Sequence, residues 1–224
     1  MILISEYIRK VANELFWKQK IQDKFGIECA QKENKPLDPI LLRQTYLILD
    51  TMPEKLVRQC GVYKLIFSST MGPNLPYYPT HGYYVHNSVT LNDNIFYHPD
   101  VMDDFFDEHG YFIDRPTQTI IHEFAHGYDA ARGEISTKPE WTKLSGWSKE
   151  PKQGLKRIVI KTPGQETVYG EWYYNPKAGF TRFYAKRNPW DDWAEAFSFY
   201  VGNMKSKLPE NKIEYFDALL KKYY

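Results

Sequence analysis

Between Ile120 and Ala130 the chain reads IIHEFAHGYDA, and this stretch constrains the fold more than any other. On a helix, Ile120, Ile121, Phe124 and Tyr128 gather on one side, and His122 and His126 on the opposite side. Histidines four apart on a helix have Cβ atoms about 5–6 Å from each other. Two such imidazoles can reach one ion at about 2.0–2.1 Å, the usual zinc–nitrogen distance. Glu123 lies about 100° round from His122, too far to be an obvious co-ligand. It is placed to touch a water on the metal, as a general base must be. The plain alternative is two surface histidines beside a surface glutamate.

A catalytic zinc usually has three protein ligands and one open position. The HExxHxxGxxH pattern is absent, because Asp129 stands at its glycine position and Arg132 at its third histidine position. The third ligand must come from further along, with a carboxylate as the default. The stretch TRFYAKRNPWDDWAEAFSFYV offers one. Asn188 can cap a helix there, with Pro189 at its first position. Trp190, Trp193, Ala194, Phe197 and Val201 form the buried stripe, and Asp191 and Glu195 lie four apart on one flank. One could ligate the metal while the other steadies a ligand histidine. Asp191 has a purely local alternative, since an acid near a helix start is favoured anyway. Glu195, a mid-helix acid between aromatics, needs a partner.

The chain of 224 residues fits a single domain, with N-terminal helices and sheet over 1–113, and the HEFAH helix and a helical lobe over 114–224. Hydrophobic residues at 42% suffice for a core. Net charge of +1 gives no electrostatic grip on nucleic acid or an anionic membrane. Cys29 and Cys60 are the only cysteines, which excludes a disulfide framework and reads as two semi-buried thiols. The opening MILISEYIRK is too short in apolar residues for a signal peptide, and no apolar run approaches the ~20 residues of a membrane span. The expectation is a cytoplasmic chain, with delivery by another route or packaging in a larger assembly as alternatives.

Ile4, Ile8, Val11, Leu15 and Phe16 fall at helical spacing, and PILLRQTYLILDTMP predicts a second helix closed by Pro53. GVYKLIFSS reads as a strand, GYYVH and SVTLND as two short strands joined tightly, and GLKRIVIK as a further strand. KPEWTKLSGW and the tyrosine-rich GEWYYNPKAG read as loops. NIFYHPDVMDDFFDEHG reads as half loop and half short helix, and two helices close the chain, PWDDWAEAFSFYVGNM and KIEYFDALLKKYY. His81, His86, His98 and His109 match no metal spacing, though one of them is a candidate for lining the cleft.

HEFAHGYD followed by YAKRNPWDDWAEAF resembles the catalytic domain of the anthrax lethal factor group of zinc peptidases, and the secreted Pro-Pro endopeptidases look similar. The resemblance covers roughly residues 115–205. It implies that Tyr184, seven residues before Asp191, is the tyrosine that stabilises the oxyanion, that Asp191 is the ligand and that Glu195 is the acid behind it. The departure is at the ligand, which is Asp where the group has Glu. Asp is one methylene shorter, so either its helix sits closer to the zinc or Glu195 takes over; aspartate is an ordinary zinc ligand elsewhere. Asp129 recurs at its position in that group, to orient His126 or to hold the end of the helix.

The fold implied is α+β and zincin-like, a small twisted sheet packed on the HEFAH helix with a helical lobe supplying the third ligand. The activity implied is that of a metalloendopeptidase with one zinc per chain on His122, His126 and Asp191, Glu123 as general base, and a protein or peptide as substrate. In such folds an edge strand binds an extended substrate, and SVTLND is the candidate. Two alternatives stand beside this: a zincin-like binding or structural protein without turnover, and a zinc hydrolase of a non-peptide amide.

Overall fold

Helix α1 (Ile2–Phe25) opens the structure and ends at Gly26, whose positive φ of 74° turns the chain out of the helix. The structure is a computed structural model that describes residues 2–33, 36–69, 81–97, 114–162, 165–202 and 204–224. It is mixed helix and sheet, α+β. It divides into two compact units. One holds the described residues up to 97 together with Asp114–Tyr128, and the other holds Asp129–Tyr224. Among the described residues no helix is long and apolar enough to cross a membrane.

In the first unit a parallel trio of strands carries the core. Strand β1 (Glu28–Gln31) pairs with β2 (Lys64–Ser68). Between them lie α2 (Pro39–Leu49), started by Pro39 and by Asp38, which accepts from the Ile40 N–H at 2.9 Å, and α3 (Glu54–Arg58). Strands β3 (Gly82–Val85) and β4 (Ser88–Asn92) form a hairpin. Its two turn residues, His86 and Asn87, both have positive φ (47° and 63°), as a two-residue hairpin of matching twist requires. The sheet order is β1-β2-β4-β3, with β3 antiparallel to β4. Helix α4 (Asn94–Tyr97) follows, and α5 (Arg115–Ala130) carries the HEFAH motif.

Three expectations change in this unit. SVTLND is not an edge: β4 pairs on both sides, and Val89, Thr90, Leu91 and Asn92 are all buried. The edge strand among the described residues, next to β4, is β3. The first-helix stripe is not a core face, since Ile8, Leu15 and Phe16 are exposed and α1 is anchored by its second half, where Ile21 and Phe25 are buried and Trp17 and Phe25 meet Tyr46. Strand β1 and helix α3 were not anticipated. Cys29 and Cys60 are free and buried. Beyond Tyr97 the reading of NIFYHPDVMDDFFDEHG lies outside the described residues, as do His98 and His109.

The second unit has its own sheet, β5 (Trp147–Ser148), β7 (Gln165–Tyr174) and β6 (Lys156–Thr162), antiparallel in the order β5-β7-β6. GEWYY therefore belongs to a strand, and PEWTKL forms helix α6 (Pro139–Leu144) where a loop was expected. Trp147, Trp172 and Phe180 form one apolar cluster, with Tyr174 and Trp190 packed on it. Helices α7 (Pro189–Val201) and α8 (Glu210–Leu220) meet through a second, in which Phe216 contacts Trp141, Trp193 and Phe197.

Candidate functional site

Helix α5 starts where Asp114 caps it: the Asp114 carboxylate accepts from the Thr117 N–H at 3.0 Å and its carbonyl from Gln118 N–H at 2.9 Å. Pro116 sits in the first turn, where its missing N–H does no harm. Ile120, Ile121, Phe124 and Tyr128 are buried as their spacing predicts. The polar side is covered too, because His122 is only 5% and Glu123 only 7% exposed. His126 is half-buried, so it is His122 that departs most from a solvated surface histidine.

The two imidazoles converge. His122 Nε2 and His126 Nε2 are 3.0 Å apart, with the rings edge to face at 82°. At that distance the nitrogens either share a proton or turn lone pairs toward one cation. One ion at about 2.0–2.1 Å from each spans the gap. Two imidazole nitrogens turned to one point suit a divalent zinc-like ion.

Glycine after the motif is what brings α5 against the sheet. A Cβ on Gly127 would stand 2.3 Å from the Cys60 carbonyl oxygen and 2.8 Å from Val62 Cγ2. Any side chain would push the helix off the segment that leads into β2. Sequence reasoning passed over this residue, although a glycine inside a helical pattern, which weakens the helix by about 1 kcal/mol against alanine, signals a packing reason.

Asp129 accepts from Ser136 N–H at 2.8 Å and from Ser136 Oγ at 2.6 Å. It thus holds the chain that leaves α5 to the short 3-10 turn Ile135–Thr137.

Within the second unit, the other anticipated residues cluster at the start of α7. Asn188 caps the helix: its Oδ1 accepts from Asp191 N–H and its amide donates to Asp191 Oδ2, both at 2.7 Å. Arg187 Nε stands 3.8 Å from the same Asp191 oxygen. Asp191 is 7% exposed. Tyr184 is partly exposed, on a 3-10 turn (Phe183–Lys186), with the Arg187 guanidinium 4.5 Å and the Arg182 guanidinium 5.6 Å from its ring centre.

Glu195 is fully buried, and both of its oxygens accept from Arg182, through Nε and a terminal nitrogen. Burial alone would make the Arg182 guanidinium easier to deprotonate, but Glu195 beside it raises its pKa overall, and Tyr184 and Asp191 add to that. Arg182 was not anticipated. Its signal was the need of Glu195 for a partner, but nothing in the spacing names a residue thirteen positions earlier.

A third acid on the same helix, Asp192, was also missed. Lys212 Nζ donates to its Oδ1 at 2.7 Å and Trp147 Nε1 to its Oδ2 at 3.0 Å, with Lys212 lying 5.1 Å from the ring centres of both Trp141 and Phe180. Burial pushes the Asp192 carboxyl up, against the pull of Lys212 and the hydrogen bonds from Lys212, Trp147 and Ser145.

His86 is exposed in the hairpin turn, and the His81 carbonyl accepts from Asn92 N–H at 2.9 Å.

No protein-family model and no curated protein sequence matches the chain. Among solved structures it is similar to a "putative zinc-binding metallo-peptidase" from Bacteroides caccae, at 16% identity over 96% of this chain and 85% of that one, with a TM-score of 0.45. A likeness this distant transfers neither a residue nor an activity.

Proposed function

We propose that the chain is a zinc-dependent metalloendopeptidase of zincin-like fold, in which the two units work as one peptidase domain. The observation that carries the proposal is the pair of imidazole nitrogens 3.0 Å apart on one helix, His122 buried and His126 half-buried, with Glu123 between them in sequence. His122, His126 and Asp191 hold one zinc. The three acids of α7 support Asp191 over its neighbours. Asp192 and Glu195 are each hydrogen-bonded directly to a cation, Lys212 and Arg182, whereas Asp191 is hydrogen-bonded to the neutral amide of Asn188 and has Arg187 at a longer 3.8 Å. Glu195 acts behind the ligand, through Arg182.

Zinc, when bound, supplies a Lewis acid that makes water reactive near neutral pH. Glu123 accepts the proton of the attacking water and returns it to the leaving amine. Tyr184 donates its hydroxyl to the carbonyl oxygen as charge develops there. An extended peptide pairs along β3, the edge strand, by main-chain hydrogen bonds. Protein or peptide substrates are preferred on the resemblance alone, and the same centre would serve a non-peptide amide.

A binding protein that keeps the fold without turnover has one observation in its favour: Asp191 Oδ2 already serves the helix cap. The experiment that separates the readings is metal analysis and peptide-library cleavage on four proteins: the unmodified chain, Glu123→Gln, His122→Ala and Asp191→Asn. The expected outcome is one zinc per chain, lost on His122→Ala and weakened on Asp191→Asn. Glu123→Gln should keep the zinc and lose cleavage by about 10²–10⁴-fold. A chain that takes up no zinc ends the metallopeptidase reading; a chain with zinc but no cleavage of any peptide supports the binding protein.

A further inference from the structure

Where α5 lies along the edge strand, residue size alternates. Facing Thr119 and Glu123 the strand has Gly82; facing Gly127 it has Tyr84. A Cβ on Gly82 would stand 3.0 Å from Thr119 Cγ2, 3.2 Å from Glu123 Cγ and 3.2 Å from the Thr90 carbonyl oxygen. A Cβ on Gly127 would stand 3.2 Å from Tyr84 Cε2. The two steps match in length. Strand residues two apart share a face and are about 6.6–6.8 Å from each other. Helix residues four apart share a face at a rise of about 6 Å. Small stands against large at one level and large against small at the next.

We infer that Gly82 is a positioning residue for Glu123. The bare Cα at 82 leaves the Glu123 side chain its place between helix and edge strand, and Tyr84 seated on Gly127 fixes the height of that place. The catalytic consequence rests on the proposed role of Glu123; the mechanical one rests on packing alone.

Of the three groups that crowd a methyl at 82, two are stiff. The Thr90 carbonyl belongs to β4, the hydrogen-bonded neighbour of β3. Thr119 is β-branched and restricted at χ1 in a helix. Glu123 is unbranched, so it is the group that yields, and its carboxylate moves with it. The Cγ has to give by a few tenths of an ångström, and since about 1 Å in a reacting group costs near 10²-fold, a smaller loss is expected here.

The test is a cycle of Gly82→Ala, Glu123→Ala and the double variant, made on the full chain and unfolded in urea without metal. In the unmodified background Gly82→Ala should raise the unfolding equilibrium constant about tenfold or more, as overpacking does. In the Glu123→Ala background, where the Cγ is gone, the rise should be clearly smaller, with the part owed to Thr119 and Thr90 remaining. A double variant that folds where Gly82→Ala alone does not carries the same meaning. An equal rise in both backgrounds, or failure to fold in both, overturns the inference and puts the collision at Thr119 Cγ2 or the Thr90 carbonyl.

Turnover gives the second reading. Gly82→Ala should lower kcat about 3–10-fold with zinc content unchanged, and Thr119→Ser, which removes the Cγ2, should restore part of it. Unchanged kcat overturns the positioning role. If the unmodified chain cleaves no peptide, the general-base reading fails, and the urea cycle still decides where Glu123 is held.

Discussion

Glu195 and Arg182 form a buried pair whose disruption separates two roles for the acid. Their side chains are 0% and 8% exposed, and both carboxylate oxygens are used by one guanidinium. Glu195→Gln keeps the shape and removes the charge, which leaves a desolvated cation with one neutral acceptor. Breaking such a pair from one side costs about 3–5 kcal/mol. Arg182→Met strands the carboxylate and should cost a similar amount. The double variant Arg182→Met/Glu195→Met leaves no lone charge and should cost clearly less than the sum of the singles, since a buried pair is often matched by an apolar one. The assay is urea unfolding of the metal-free protein, so that zinc contributes nothing to the difference. If Glu195 instead worked by steadying a ligand histidine, Glu195→Gln would weaken zinc about 10–100-fold and leave the metal-free protein nearly untouched. A loss below about 1 kcal/mol in Glu195→Gln, accompanied by loss of zinc, would refute the ion-pair argument.

Gly127→Ala should destabilise the protein by at least about 1–3 kcal/mol, because its methyl meets a backbone oxygen 2.3 Å away; a rise in Tm, as helix propensity alone would give, contradicts the close approach. Lys212→Met should cost about 3–5 kcal/mol in chemical unfolding, and adding Asp192→Asn should recover part of it, because the stranded group is the Asp192 carboxylate; a neutral Lys212→Met would mean that the pair adds nothing. Burial pushes the Cys29 thiol from 9.0 up to about 12, so the fold favours the protonated form. Its contribution is intact below about pH 9 and falls as pH rises from 9 toward 12, by up to about 1.4 kcal/mol per pH unit. The stability difference between about pH 8 and about pH 10 should therefore be smaller in Cys29→Ala, and an identical difference in both proteins would refute it.

The parts of the fold legible in the sequence are those whose cause is local. The cap at Asn188, the proline after it and the apolar face of α5 each depend on residues within a turn or two. What failed was set from a distance. The stripe on α1 has the spacing of a core face, yet Ile8, Leu15 and Phe16 are exposed, because periodicity says that a face exists and not what covers it. Strand β1 is only four residues, Glu28–Gln31, and owes its existence to pairing with β2. The order of strands in the sheet was likewise out of reach: the alternation in SVTLND is the same for an edge strand and for one with neighbours on both sides.

The candidate site shows the same division more sharply. Asp191, Asp192 and Glu195 lie within five residues of one another, and helix geometry could rank them only by which face each occupies. Their chemistry is decided by residues off the helix. Lys212 comes from α8 and Arg182 from the segment before the 3-10 turn, and each gives one acid a cation in a buried place. The need for such partners was readable, since a buried carboxylate cannot stay charged alone. Their identity was not, because an ion pair leaves no period in the sequence. Asp191 is bonded to the Asn188 amide, with Arg187 at the longer distance of 3.8 Å. The proposal of Asp191 as third ligand therefore rests less on the motif than on a difference in grip, Arg187 at 3.8 Å against the direct bonds that Lys212 and Arg182 make to its neighbours.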